Sequence, residues 1–130
     1  MSDLLDSLTE KHIEWAQAKK VFFVSTAPLS QEGHINCSPK GGDCFRFTNS
    51  ETFVYADYTG SGNETISHLN ENGRILIMFC AFEGPPRIMR IHGKGTAMFP
   101  GNSEFEVLLE QFPDKPGLRC IIHVAIERAS

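Results

Sequence analysis

Arg74-Ile75-Leu76-Ile77-Met78-Phe79-Cys80-Ala81-Phe82-Glu83-Gly84-Pro85-Pro86-Arg87-Ile88-Met89-Arg90-Ile91-His92-Gly93-Lys94-Gly95 is the stretch on which the fold turns. Its first part, Arg74 to Phe82, is a nearly continuous apolar run, the pattern of a strand covered on both faces. Glu83-Gly84-Pro85-Pro86 breaks it, since proline cannot feed a ladder and glycine marks a turn. From Arg87 to Gly95 apolar and polar residues alternate, so this second strand keeps one face in a core and presents the other outward. Arg90, His92 and Lys94 share that outward face, which makes it a ligand-facing or dimer-facing edge, with a plain solvated face as the competing reading. Arg87 and Arg90, three apart, fall on opposite faces and form no single clamp.

The rest of the chain extends the β pattern. Val21-Phe22-Phe23-Val24-Ser25-Thr26 is β-branched and aromatic, a buried strand. The turn Ser30-Gln31-Glu32-Gly33 leads to a return strand over His34–Ser38. Cys44–Thr48 and Thr52–Asp57 read as two more strands around the turn Asn49-Ser50-Glu51, and Cys120–Glu127 as the last. Three short helices are interspersed. The capping-box pattern Ser7-Leu8-Thr9-Glu10 opens the first, about three turns spanning residues 7–19, and Lys19-Lys20 close it on the negative end of the helix dipole. A second capping box, Ser61-Gly62-Asn63-Glu64, opens a helix through His68 and Leu69, with Gly73 as its C′ residue. Asn102 or Ser103 caps the third, through Phe105, Leu108, Leu109 and Phe112. About six strands without a βαβ rhythm predict a mainly β fold, an antiparallel split barrel with short helical additions.

Length and composition narrow the classes. One domain over residues 1–130 is expected, long enough to bury a core without disulfide staples. A net charge of −4, with no basic run beyond Lys19-Lys20, argues against nucleic acid and membrane surfaces as partners. No apolar stretch approaches a membrane span, and the acidic start Met-Ser-Asp-Leu-Leu-Asp is unlike a signal peptide. Cys37, Cys44, Cys80 and Cys120 show no metal or redox spacing, so free thiols in a reducing cytoplasm are expected. The five histidines show no metal spacing either.

Two segments carry chemistry that packing does not require. Gly60-Ser61-Gly62-Asn63-Glu64-Thr65 places small residues and hydroxyl and amide donors at a helix start, where unpaired N–H groups and the dipole favour phosphate. It is neither a Walker loop nor a dinucleotide fingerprint, and an ordinary capped loop is the competing reading. Ser38-Pro39-Lys40-Gly41 ends a strand with a lone cation, which suits a phosphate or an electron-rich ring oxygen. A solvated turn lysine is its alternative. No nucleophile elbow and no acid–base pair is apparent.

In order and spacing, Ile35–Gly41, Asp57–Thr65 and Met78–Gly93 together resemble the pyridoxamine 5′-phosphate oxidase-like family of FMN-binding split barrels, over roughly Trp15 to Glu127. The resemblance implies a homodimer with FMN in clefts at the subunit interface, and an FMN-dependent oxidoreductase of unnamed substrate. Carried over by position, Ser38, Pro39, Lys40 and Gly41 would line the isoalloxazine, with Lys40 facing it. Asp57, Ser61, Gly62, Asn63 and Thr65 would hold the ribityl chain and phosphate, and Arg90 would approach from near the dimer interface. The oxidase proper uses a basic Ser-Arg-Lys turn for the phosphate, whereas Ser61-Gly62-Asn63 has no cation. Lys40, Arg90, backbone dipoles or the partner subunit must then supply that charge. Relatives also continue past the last strand, so oxidation of the vitamin phosphate itself is not implied. A non-catalytic flavin-binding module, or a haem-binding one using His92 or His123, is the alternative within the same fold.

Overall fold

The computed structural model describes residues 7–58, 63–113 and 116–130. Seven strands and three helices follow in the order α1 (Glu10–Gln17), β1 (Val21–Thr26), β2 (Asn36–Gly41), β3 (Phe45–Asn49), β4 (Thr52–Tyr58), α2 (Asn63–Glu71), β5 (Arg74–Cys80), β6 (Ile88–Met98), α3 (Ser103–Leu109) and β7 (Leu118–Ala129). The strands form one antiparallel sheet, ordered β2-β1-β5-β6-β7-β4-β3. Side chains of Phe22 on β1 and Phe79 on β5 meet those of Phe45, Phe53 and Tyr55 on β3 and β4, at the other end of the strand order. From Phe22 the ring centroids lie 5.1 Å to Phe45, 5.6 Å to Phe53 and 5.6 Å to Tyr55. The sheet therefore curls into a split half-barrel around an aromatic core, because only curling lets both ends bury these rings against each other.

Alternation assigns the two faces. Phe22, Val24 and Thr26 are buried, while Val21, Phe23 and Ser25 are half-buried on the outside. Opposed residues in an antiparallel pair point the same way, so Lys40, Phe22, Phe79 and Met89 lie in one inner row. Pro39, Phe23, Met78 and Arg90 form an outer row beside it. Proline is tolerated within β2 because β2 is an edge strand.

Several sequence expectations shift. The sheet has seven strands rather than about six. β2 begins and ends later than His34–Ser38, so Lys40 and Gly41 belong to the strand and not to a turn after it. β5 is not covered on both faces: Ile75, Ile77 and Phe79 are buried, but Leu76, Met78 and Cys80 remain half-buried. Its apolar run reflects an apolar outer face that no element among the described residues covers.

The first helix starts at a different cap. Thr9 Oγ accepts from the His12 N–H, and the His12 ring accepts from the Thr9 N–H, closing the box that Ser7 and Glu10 were expected to form. Leu8 is buried and its N–H donates to the Ser50 carbonyl, which holds the chain extended just before the cap. The helix ends at Gln17, so Lys19 and Lys20 lie beyond it and not on its last turn. Lys19 Nζ instead sits 4.6 Å from the Trp15 ring, and the Arg87 guanidinium 5.2 Å from the same ring. Arg87 thus precedes β6 and pins the β5–β6 turn to α1.

α2 lies against β6, β1 and β5, burying Thr65, His68 and Leu69 at helical spacing. Gly73, at φ 73°, follows it as expected of a C′ glycine, its N–H donating to the Leu69 carbonyl. Asn102 caps α3 through its side-chain oxygen. The Ser61 capping box falls partly outside the described residues.

Candidate functional site

The inner face of β2 is polar where its neighbours are apolar. Asn36, Ser38 and Lys40 point inward, toward the end of β4 and the start of α2. Asn36 donates to Thr65 Oγ1 at 3.2 Å. The Ser38 hydroxyl is buried without a hydrogen-bond partner, as is the Tyr55 hydroxyl. Lys40 Nζ stands 3.8 Å from Asp57 Oδ1.

Asp57 is the centre of the group. It closes the inner row of β4 and is 2% exposed. A carboxylate so buried needs a countercharge, and Arg119 supplies it: Nη2 lies 2.6 Å and Nε 3.1 Å from Asp57 Oδ2. The remaining fork of Arg119 reaches α2, where Nη1 donates to Asn63 Oδ1 at 2.8 Å. These bonds to Asp57 are the first cause of a guanidinium held even more firmly protonated than usual. Cys120 sits opposite Asp57 in the β4–β7 register, its thiol 3.6 Å from the same oxygen. Burial, then the Asp57 charge, push that thiol up to about 12. Burial first and Asp57 second raise the Tyr55 phenol well above its ordinary range. The array itself combines two cations and one carboxylate beside the opening turn of α2, whose dipole has the same sign as the cations and whose Glu64 carries the opposite charge.

Of the residues read from sequence, Lys40, Asp57 and Asn63 form one connected array, and Ser38 and Thr65 adjoin it. Pro39 and Gly41 lie on the outer side of β2, so they can contribute backbone but not an inward side chain. Arg90 lies in the outer row, on the opposite face of the sheet from Lys40. Ser61 and Gly62 lie outside the described residues. Arg119 is the residue that sequence reasoning missed. Its signal was an aspartate inside the apolar strand Phe53–Tyr58, which requires a cation from somewhere. Only the pairing of β4 with β7, shifted between Asp57 and Tyr58, identifies which one.

Among the described residues no three His, Cys, Asp or Glu side chains gather as a metal site, and no helix is long and apolar enough to cross a membrane.

A curled, split antiparallel sheet defines a class of fold, and known proteins share it. The pattern of the pyridoxamine 5′-phosphate oxidase family matches residues 8–130, and the chain belongs to that family. A pyridoxamine 5′-phosphate oxidase family protein of Aspergillus flavus, ustO, is 45% identical over 95 residues, covering 72% of this chain. The chain spans only 38% of that relative's length. HupZ of Group A Streptococcus superposes with a TM-score of 0.68 at 19% identity, over 94% of this chain and 92% of its own. An FMN-binding protein of Syntrophomonas wolfei gives 0.68 at 13% identity, over 92% and 85%. At these identities the two structures speak for the fold.

Proposed function

We propose that the chain is an FMN-binding oxidoreductase acting as a homodimer. The observation that carries this reading is the Lys40–Asp57–Arg119–Asn63 array, two cations and one carboxylate at a helix start beside the unsatisfied Ser38 hydroxyl. The donor set fits the cofactor. Asn63, Thr65 and the opening amides of α2 would take the phosphate, with Arg119 supplying the cation that the Ser61-Gly62-Asn63 turn lacks. Ser38 would hydrogen-bond the polyol, and Lys40 would stand at a ring carbonyl edge. Bound FMN would supply the electron transfer, while the protein contributes position and electrostatics. Asp57 has a holding role: it fixes both cations in place, so they need not reorganise when an anion arrives. The family membership and the FMN-binding fold relative support this reading.

The outer face supports the dimer. Phe23 and Met78 are half-buried there, and Ile88 is 48% exposed, an apolar surface whose burial against a second copy would be favourable. A reducing, cytoplasmic setting suits the exposed thiol of Cys37.

Purified protein should be yellow or should quench FMN fluorescence on titration, and Lys40→Ala, Asn63→Ala and Arg119→Gln should each weaken that binding. A chain that neither retains nor binds FMN sinks the proposal. One observation favours a second reading, a flavin carrier without turnover. The acid in the array, Asp57, is already engaged by two cations and is not poised to move a proton. FMN-loaded protein that no nicotinamide donor reduces would select that reading.

A further inference from the structure

The outer face collects positive charge that no ion pair among the described residues offsets. Arg74 on β5 lies directly opposite Lys94 on β6, and His92 on β6 directly opposite Arg128 on β7. Arg90 shares their face, two residues before His92. Like charges placed opposite each other across a ladder, as Arg74 and Lys94 are, are destabilising. Among the described residues, the three ion pairs within 4 Å involve none of these side chains. Arg128 and then Arg90 add to burial in pulling His92 below its ordinary value. Such an accumulation in a chain of net charge −4 is not a by-product of basic composition.

The same groups line a pocket. Arg74, His92 and Lys94 border a cavity of about 350 Å³ whose wall also carries the Ser25 hydroxyl, the apolar Leu76 and one carboxylate, Glu127. Glu127 reaches it where the β6–β7 register shifts between His92 and Gly93. One carboxylate against Arg74 and Lys94, with Arg90 and Arg128 close by, leaves the pocket clearly positive. Its face is the opposite one from Lys40, so it is separate from the Asp57 array.

We propose that this pocket is a second anion site, taking the phosphate of a phosphomonoester. Arg74 and Lys94 would meet the dianion, His92 and Ser25 would add donors, and Leu76 would underlie the organic body. A phosphate fits better than a carboxylate, because its three oxygens can meet donors converging from three adjacent strands. Bound anion would also relieve the cross-strand repulsion between Arg74 and Lys94.

The proposal stands apart from the flavin reading and is tested residue by residue. Amide resonances of nitrogen-15-labelled protein are followed while inorganic phosphate, then adenosine 5′-monophosphate, is added, with adenosine as control. Saturable shifts at Ser25, Leu76 and Gly93 are expected with both phosphates and not with adenosine. The double variant Arg74→Gln/Lys94→Gln should weaken that binding at least about tenfold, since each substitution removes a charge-assisted contact. Both side chains are exposed, so the variant should fold. With FMN saturating the other site, phosphate should raise the melting temperature of the wild type but not of the variant, while FMN quenching is the same in both. Shifts confined to Asn63 and Thr65, shifts that do not saturate, or shifts that survive the double substitution would overturn it.

Discussion

The inner and outer faces of the sheet treat charge in opposite ways. Inside, Asp57 is nearly inaccessible and holds the Arg119 guanidinium at 2.6 Å and the Lys40 ammonium at 3.8 Å. Outside, Arg74, Arg90, Lys94 and Arg128 crowd one surface with no ion pair among the described residues. Desolvation explains the difference. A buried charge without a partner would cost several kcal/mol, so the inner face must be compensated internally, whereas hydrated outer cations can wait for a ligand. The inner charges are thus part of the fold, and the outer ones are available to something else.

The largest effect should come from the adjacent pair Phe22 and Phe23. Phe22→Ala removes a fully buried ring that meets four others and should cost about 4 kcal/mol in urea unfolding. Phe23→Ala, on the outer face, should cost the isolated chain about 1 kcal/mol or less. Similar losses at both positions would break the distinction between the faces. Next comes Asp57→Asn, which leaves two cations facing each other without their carboxylate and should cost about 3 kcal/mol. Arg74→Gln tests the converse outside: removing a repelling cation should leave the urea midpoint unchanged or slightly raised. A marked loss there would mean that the outer charges hold the fold after all.

Thiol chemistry sharpens the contrast more gently. Cys120 is fully buried with its thiol pushed up to about 12, so at pH 8 it should resist iodoacetamide until the chain unfolds, while exposed Cys37 reacts at once. Mass spectrometry of tryptic peptides reads both. The smallest effect concerns His92. Its folded-state value lies below the ordinary one, so between the two values the unfolded chain binds more protons. Stability attributable to this group is therefore present above about pH 6.5 and falls as the pH drops through the depressed value. Arg128→Gln should move the His92 titration upward in an NMR pH series, and no movement would remove Arg128 as a cause.

Sequence made most of the sheet legible because its signals are local. Val21–Thr26 was bounded correctly by β-branched and aromatic residues, and the alternation from Arg87 placed Arg90, His92 and Lys94 on one face, as found. Two kinds of information were out of reach. Periodicity could not separate a strand buried on both faces from one whose outer face is apolar but open, which is why β5 was misread. Nor could any local rule join Asp57 to Arg119, since that contact depends on strand pairing and a register shift. The candidate site was legible as separate pieces, Lys40, Asp57 and Asn63. The residue linking two of them came only from topology.

Gly95 has a mechanical consequence. A Cβ there would meet Leu69 Cδ2 at 2.9 Å, and its N–H donates to the Gly73 carbonyl at 2.7 Å, so the far end of α2 is seated on β6 at this spot. A helix of nine residues is a stiff rod of roughly 13 Å. If a methyl group at Gly95 lifted the seated end and tilted the rod by about 10°, Asn63 would swing by about 2 Å at the other end. That displacement exceeds the tolerance of a hydrogen bond to Arg119. Gly95 is then the fulcrum of a lever whose tip is the Asn63 turn, and a single methyl group at one end of the helix would be magnified at the Arg119 contact at the other.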